Sequence, residues 1–135
     1  MFSGPIAPLR EIEASLATCP FRGDFGLTKT FYEEKDLGIM DLIHPECSKG
    51  AALAEWARIC GIPREQVMAI GDNHNDRDML EFAGLSIVMG NAVASLLDAS
   101  ATLGPDQGWH VTLEHDAAGL AVAVEKWALA KKSSH

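Results

Sequence analysis

The residues best suited to chemistry stand in one short stretch, residues 71–79, which reads GDNHNDRDM. Two carboxylates, Asp72 and Asp76, are four residues apart and directly follow a short apolar run. Carboxylates at this spacing across a turn can converge on one hard cation, and oxygen ligands on so short a span suit Mg²⁺ far better than Zn²⁺. Asn75 could cap the following helix or hydrogen-bond a ligand oxygen. The stretch therefore predicts a magnesium site with Asp72 and Asp76 as metal ligands.

The same residues have a purely structural alternative. Gly-Asp-Asn is ordinary turn sequence, and Asn75 or Asp76 could serve only as a helix cap. Lys49 favours a site, because it opens a predicted helix whose amino-terminal dipole disfavours a cation unless an anion lies nearby. An exposed lysine on a flexible stem is the alternative for that residue. Taken together, the lysine, the two carboxylates and the asparagine form a charge set suited to holding phosphate and Mg²⁺.

The elements around these residues predict an α/β fold. Short, unbroken apolar runs at 67–70 and 85–89 alternate with helical patterns, which is typical of a parallel sheet with crossover helices. In such sheets ligands bind at the carboxyl ends of the strands, where Asp72 is expected to lie. The other predicted elements are a helix over Ile6–Ala17, a hairpin with strands at 27–32 and 37–43, helices at Lys49–Cys60, before Gly84 and at 116–130, and a surface loop at 104–108.

Composition limits the classes of partner. The 135 residues carry a net charge of −8, and no local basic patch interrupts it, so binding to nucleic acid is disfavoured. No apolar stretch reaches the ~20 uncharged residues of a membrane span, and the amino terminus does not read as a targeting segment. Three cysteines without a CxxC pair favour a reducing, cytoplasmic location. The single pair His44-x-x-Cys47 has a spacing seen in zinc sites, but a second pair is missing from the sequence.

Three motifs in order carry a family resemblance: Ser48-Lys49-Gly50, the GDNHND loop, and Met89-Gly90-Asn91-Ala92. Over roughly residues 41–129 the chain resembles the carboxyl-terminal half of a haloacid dehalogenase superfamily hydrolase of the Cof-type sugar-phosphatase branch. The resemblance implies a Rossmann-like core and a Mg²⁺-dependent phosphomonoesterase acting on small phosphorylated metabolites such as sugar phosphates. It also implies the residue roles: Lys49 steadies the nucleophile and the substrate phosphate, Asp72 ligates Mg²⁺, Asn75 contacts phosphate, and Asp76 supports the metal shell.

The resemblance divides the chain into residues 1–45, similar to the end of a mobile α/β cap, and residues 46–135, similar to the carboxyl-terminal half of the core. In the family the nucleophile and general acid come from an amino-terminal strand that ends in DxDGT, a string these 135 residues do not contain. Asp24 and Asp41 lie where the family has cap residues and have no partner two positions on. We therefore expect the chain alone to be inactive and to hold Mg²⁺ weakly.

Several origins remain open for such a chain: a cloned fragment, a proteolytic remnant, one partner of a split enzyme, or a truncated reading frame. The functional alternative is a non-catalytic remnant that acts as an assembly or regulatory module. In either case the strand at 67–70 is expected to have one unpaired edge, because its neighbour in the family is the nucleophile strand. An exposed strand edge promotes pairing, so we expect a homo-oligomer or a complementing amino-terminal half.

Overall fold

The structure, a computed structural model, describes residues 1–130, and the chain divides into two compact units, Met1–Ser48 and a second unit that begins at Lys49. The first unit holds one helix and an antiparallel sheet in the order β1-β3-β2. Its elements are β1 (Phe2–Gly4), α1 (Ile6–Ala17), β2 (Gly26–Tyr32) and β3 (Leu37–Ile43). The predicted helix and hairpin are confirmed, whereas β1 was not predicted, because three residues are too few to show a pattern.

Helix α1 packs on the sheet of the first unit through a narrow apolar contact. Ile6 and Leu9 are buried on the helix, and Met40 is fully buried on β3. Leu9 lies so close to Gly38 that a Cβ there would come within 2.5 Å of the leucine side chain. The helix start is held by Asp36, whose Oδ1 accepts the N–H of Ile6 at 3.1 Å. This aspartate replaces a capping residue that the sequence before α1 does not supply.

The second unit is built on a parallel sheet in the order β4-β5-β6. The alternation of helix and strand predicted this α/β arrangement, and the structure confirms it. Its elements are α2 (Lys49–Cys60), β4 (Met68–Gly71), α3 (Arg77–Phe82), β5 (Leu85–Val88), α4 (Ala94–Leu103), β6 (Trp109–Val111) and α5 (Gly119–Ala123), which continues as a π-helical turn at Val124–Ala128.

The core of this unit lies between the sheet and its helices. Leu80 of α3, Val88 of β5 and Leu96 of α4 are fully buried, and Trp109 of β6 closes the cluster. Burial of each large apolar side chain contributes about 1.5–3 kcal/mol. The cluster fixes the three strands, and with them the loops at their carboxyl ends. Within residues 1–130, no helix is both long and apolar enough to cross a membrane.

Several predicted bounds need correction. Strand β4 lies one residue later than predicted, at Met68–Gly71, and β5 ends at Val88, before Met89. The predicted last helix at 116–130 is wrong at its start, because a separate 3₁₀ turn at His115–Ala117 ends at Ala118, whose φ of 59° breaks the helical path. Helix α4 and strand β6 were not predicted from the sequence.

Candidate functional site

Lys49 and Asp76, which are 27 residues apart in sequence, meet beyond the carboxyl end of β4. The ammonium of Lys49 donates a hydrogen bond to Oδ1 of Asp76. The second carboxylate oxygen, Oδ2, accepts the backbone N–H groups of Asp72 at 2.9 Å and Asn73 at 3.0 Å. Asp76 is 4% exposed, so these donors replace its lost hydration. Both of its oxygens are therefore already engaged within the chain.

Two glycines allow this close approach. A Cβ on Gly71 would lie 2.5 Å from Cβ of Asp76, and a Cβ on Gly50 would lie 2.7 Å from the backbone carbonyl of Asp78. Gly50 is the second residue of α2, so its missing side chain lets the helix start contact α3. The start of α2 thus brings Lys49 to the loop after β4.

The loop itself is a 3₁₀ turn, His74–Asp76, capped by Asn73. Oδ1 of Asn73 accepts the N–H of His74 at 2.7 Å, and a reciprocal capping box joins Asn73 to Asp76. The spacing N-x-x-D at 73–76 could have signalled this cap, which was missed in the sequence. Asn75 does not cap the helix. Its half-buried side chain forms no hydrogen bond with another residue in the described range 1–130, so its amide is available to a ligand.

The pKa values of the two carboxyl groups are shifted in opposite directions. Burial acts to raise the pKa of Asp76, but the hydrogen bond from Lys49 and those from two backbone N–H groups outweigh burial and lower it. The pKa of Asp72 is raised, first by partial burial and then by the negative charge of Asp76. Lys49 opposes that rise only weakly. Asp72 therefore lies beside the negative charge of Asp76, and a cation near it would be favoured.

Metal ligands in the described residues are few. Between residues 1 and 130, no three His, Cys, Asp or Glu side chains are grouped closely enough to hold a metal ion. The spacing of a DxD pair occurs at Asp76 and Asp78, but Oδ1 of Asp78 accepts the N–H of Met79 at 2.9 Å within α3. Near Cys47, whose thiol is free, Nδ1 of His44 accepts the backbone N–H of Glu46 at 3.3 Å. The structure thus gathers Lys49, Asp72, Asn75 and Asp76 at one strand end, with two carboxylates among them.

A parallel sheet between helices, with this charge set at the carboxyl end of β4, defines an α/β protein of Rossmann-like type. The sequence profile of the haloacid dehalogenase-like hydrolases matches residues 21–122. The chain therefore belongs to the haloacid dehalogenase-like hydrolase family, as the three motifs indicated.

Individual relatives agree with this assignment. The HMP-PP phosphatase of Cronobacter sakazakii is 44% identical over 61 residues, which are 45% of this chain and 22% of that protein. The phosphatase YwpJ of Bacillus subtilis is 39% identical over 84 residues, 60% of this chain and 26% of the relative. A solved haloacid dehalogenase-like hydrolase from B. subtilis superposes with a TM-score of 0.66 at 30% identity, covering 87% of this chain and 37% of its own. The chain spans less than half the length of these proteins.

Proposed function

We propose that this chain forms the phosphate- and Mg²⁺-binding end of a phosphomonoesterase that acts on small phosphorylated metabolites such as sugar phosphates. The observation that carries the proposal is the convergence of Lys49, Asp72 and Asp76 beyond β4. Relatives with phosphatase names support the reaction class. The net charge of −8 supports a small-molecule partner over nucleic acid, and three free cysteines support a reducing cytoplasm.

The arrangement gives each residue a separable task. The ammonium of Lys49 has three N–H groups, and its side chain is half exposed, so it can face a phosphate oxygen while it remains bonded to Asp76. Asn75 can donate its free amide to another phosphate oxygen. Asp76 holds Lys49 and the backbone of Asp72, and so positions both of them. A nucleophile is not assigned to any of these four residues.

The residues that would hold Mg²⁺ fit a hard cation. Asp72 offers an exposed carboxylate whose pKa is raised, and the nearby ammonium is bonded to Asp76 instead. Asp72 would be the direct protein ligand, and Asp76 would support the shell around it. Because Mg²⁺ retains several waters, a site with only these two carboxylates would bind it weakly. When bound, Mg²⁺ would supply positive charge to the transferring phosphoryl group.

We test the proposal by titrating the 135-residue chain with Mg²⁺ and following the backbone amide resonances by NMR. The expected result is weak, saturable binding with shifts clustered at residues 71–78. Asp72→Asn is expected to abolish these shifts. Asp98→Asn, which makes the same change on the exposed side of α4, is expected to leave them intact. Shifts centred elsewhere, or unchanged by Asp72→Asn, would overturn the site.

The same chain is expected to hydrolyse a generic phosphomonoester no faster than buffer does, with Mg²⁺ present. The reason is that covalent phosphoryl transfer needs a nucleophile, and loss of the nucleophile commonly removes most of an enzyme's rate enhancement. A Mg²⁺-dependent turnover that survives repurification and is lost in Asp72→Ala would place a nucleophile within these 135 residues.

A further inference from the structure

The Met89-Gly90-Asn91-Ala92 motif was distinctive in the sequence, yet the site as described does not use it. It forms the turn after β5, at the same carboxyl end of the parallel sheet as the loop after β4. Here the N–H of Met89 donates to the carbonyl of Gly71 at 3.0 Å, and the N–H of Val93 donates to the carbonyl of Asp72 at 2.9 Å. The 89–93 turn therefore holds the backbone carbonyl of Asp72, whereas Asp76 holds its N–H group.

The 89–93 turn is held in its own right by the segment that follows β6. The N–H of Gly90 donates to the carbonyl of Leu113 at 3.2 Å. A side chain at this glycine would be crowded, since its Cβ would lie 3.0 Å from the carbonyl oxygen of Thr112 and 3.1 Å from the nitrogen of Glu114. The side chain of Asn91 adds a second hydrogen bond between the turn and this segment, because its Oδ1 accepts the N–H of His115 at 3.1 Å.

A further contact joins the two loops. Oγ of Ser95, in the first turn of α4, lies 3.3 Å from Nδ1 of His74 in the turn after β4. The loop that carries Asp72 thus forms two hydrogen bonds with the residues that follow Asn91, one to Val93 and one to Ser95. Only the bond from Val93 involves Asp72, the residue proposed as the metal ligand.

We infer that Asn91 is a positioning residue for Asp72, acting through the 89–93 turn. The Asn91–His115 bond fixes the turn, the turn presents the N–H of Val93, and that N–H fixes the peptide from which the Asp72 carboxylate projects. The inference rests on the proposed function, in which Asp72 is the metal ligand. Groups that orient a metal ligand typically change metal affinity by ~10–100-fold when removed. Because Asn91 acts through the backbone, the lower end of that range is expected.

The test compares three variants of the full 135-residue chain. Asn91→Ala removes the acceptor, Asn91→Asp keeps an acceptor oxygen in the same place, and Thr102→Ala removes an unrelated side-chain bond in α4, from Oγ1 to the carbonyl of Asp98 at 2.8 Å. Two quantities are measured: amide hydrogen exchange at Val93, and the Mg²⁺ dissociation constant. Asn91→Ala should accelerate exchange at Val93 and weaken Mg²⁺ binding about 10-fold. Asn91→Asp and Thr102→Ala should show neither effect.

A merely structural role for Asn91 gives a different result. In that case Asn91→Ala would accelerate exchange equally at Val93 and at the buried Leu80 of α3, and the inference would be overturned. Unchanged exchange at Val93, or an equal loss of Mg²⁺ affinity in Asn91→Asp, would also overturn it. If the wild-type chain binds no Mg²⁺, the proposed function fails. Exchange at Val93, together with the amide shift of Asp72, then decides the positioning role alone.

Discussion

At the scale of single residues, the site depends on how one buried carboxylate is satisfied. Asp76 has lost its water and accepts three hydrogen bonds, of which two come from its own loop and one from Lys49. The backbone bonds persist in any variant that keeps the loop. The bond from Lys49 carries the compensating charge, and removal of one partner of a buried charge costs more than the pair contributes.

We expect Lys49→Met to lower the free energy of unfolding by about 1–3 kcal/mol at pH 7, because Asp76 is left as a buried anion without its cation. In the wild type, the lowered pKa of Asp76 stabilises the fold above the ordinary value of 3.8, and this contribution is lost as the pH falls through the folded pKa. In the variant we expect a higher pKa for Asp76, so this contribution is smaller and its loss is complete at a higher pH.

Urea unfolding across pH 3–7 measures this difference. Lys35→Met, at an exposed position between β2 and β3, is the control for loss of a lysine charge. If Lys49→Met and Lys35→Met have the same stability at every pH, the Lys49–Asp76 pair does not stabilise the fold.

At the scale of secondary-structure elements, close packing of two helices places Lys49. Helix α2 contacts α3 where Gly50 faces the backbone of Asp78. A glycine near the start of a helix is unfavourable for helix formation, so its presence here indicates a packing constraint. The side of α2 that carries Leu53 and Ala57 continues the contact into the core.

We expect Gly50→Ala to destabilise the chain by about 1–3 kcal/mol, because the new methyl group must push α2 away from α3. The gain in helix propensity, about 1 kcal/mol at most, acts in the opposite direction. The same displacement should move the Lys49 amide resonance in NMR spectra. Gly23→Ala is the matched control, since a Cβ there meets no atom within 4 Å. Equal stability of the two variants would contradict a packing role for Gly50.

The elements were more predictable than the contacts between them. Periodic apolar residues predicted α1 and α2, because each helix has one buried face. Strand β4 was misplaced by one residue, since Gly71 is read as a turn residue but still pairs with Val88. Helix α4 lacks a side-chain cap, and its small residues obscure the period.

The four candidate residues could be found from type and spacing, but their pairing could not. The bond between Lys49 and Asp76 depends on the approach of α2 to the loop, which is set by Gly50 and Gly71. Asn73 was overlooked because Asn75 has the same chemistry two positions later. Only the three-dimensional structure separates the capping asparagine from the one whose amide is available.

At the scale of the whole molecule, the parallel sheet is open at β4, which pairs only with β5 among the described strands. The carbonyl groups of Val67 and Gly71 accept hydrogen bonds from the β5 side. Backbone groups alternate along a strand, so those of Met68 and Ile70 point to the open edge. Unpaired edge groups can bind another strand, and this edge is the observation that favours an assembly role.

We expect the chain to form a homodimer or higher oligomer that covers the edge of β4, unless an amino-terminal half supplies a strand there. Sedimentation over a concentration series measures the association. Met68→Pro removes one edge N–H at the first residue of the strand, where proline is tolerated, and should weaken association. A wild-type chain that is monomeric at all concentrations would show that this edge does not drive assembly.

The central claim is that Lys49, Asp72 and Asn75 bind phosphate and Mg²⁺ together. The most direct test is the Mg²⁺ affinity of the 135-residue chain with and without inorganic phosphate, measured by NMR titration. We predict that phosphate tightens Mg²⁺ binding, that the amides of these three residues report both ligands, and that Lys49→Met removes the coupling while Lys35→Met preserves it. Independent binding of the two ligands, or phosphate shifts away from these residues, would contradict the account.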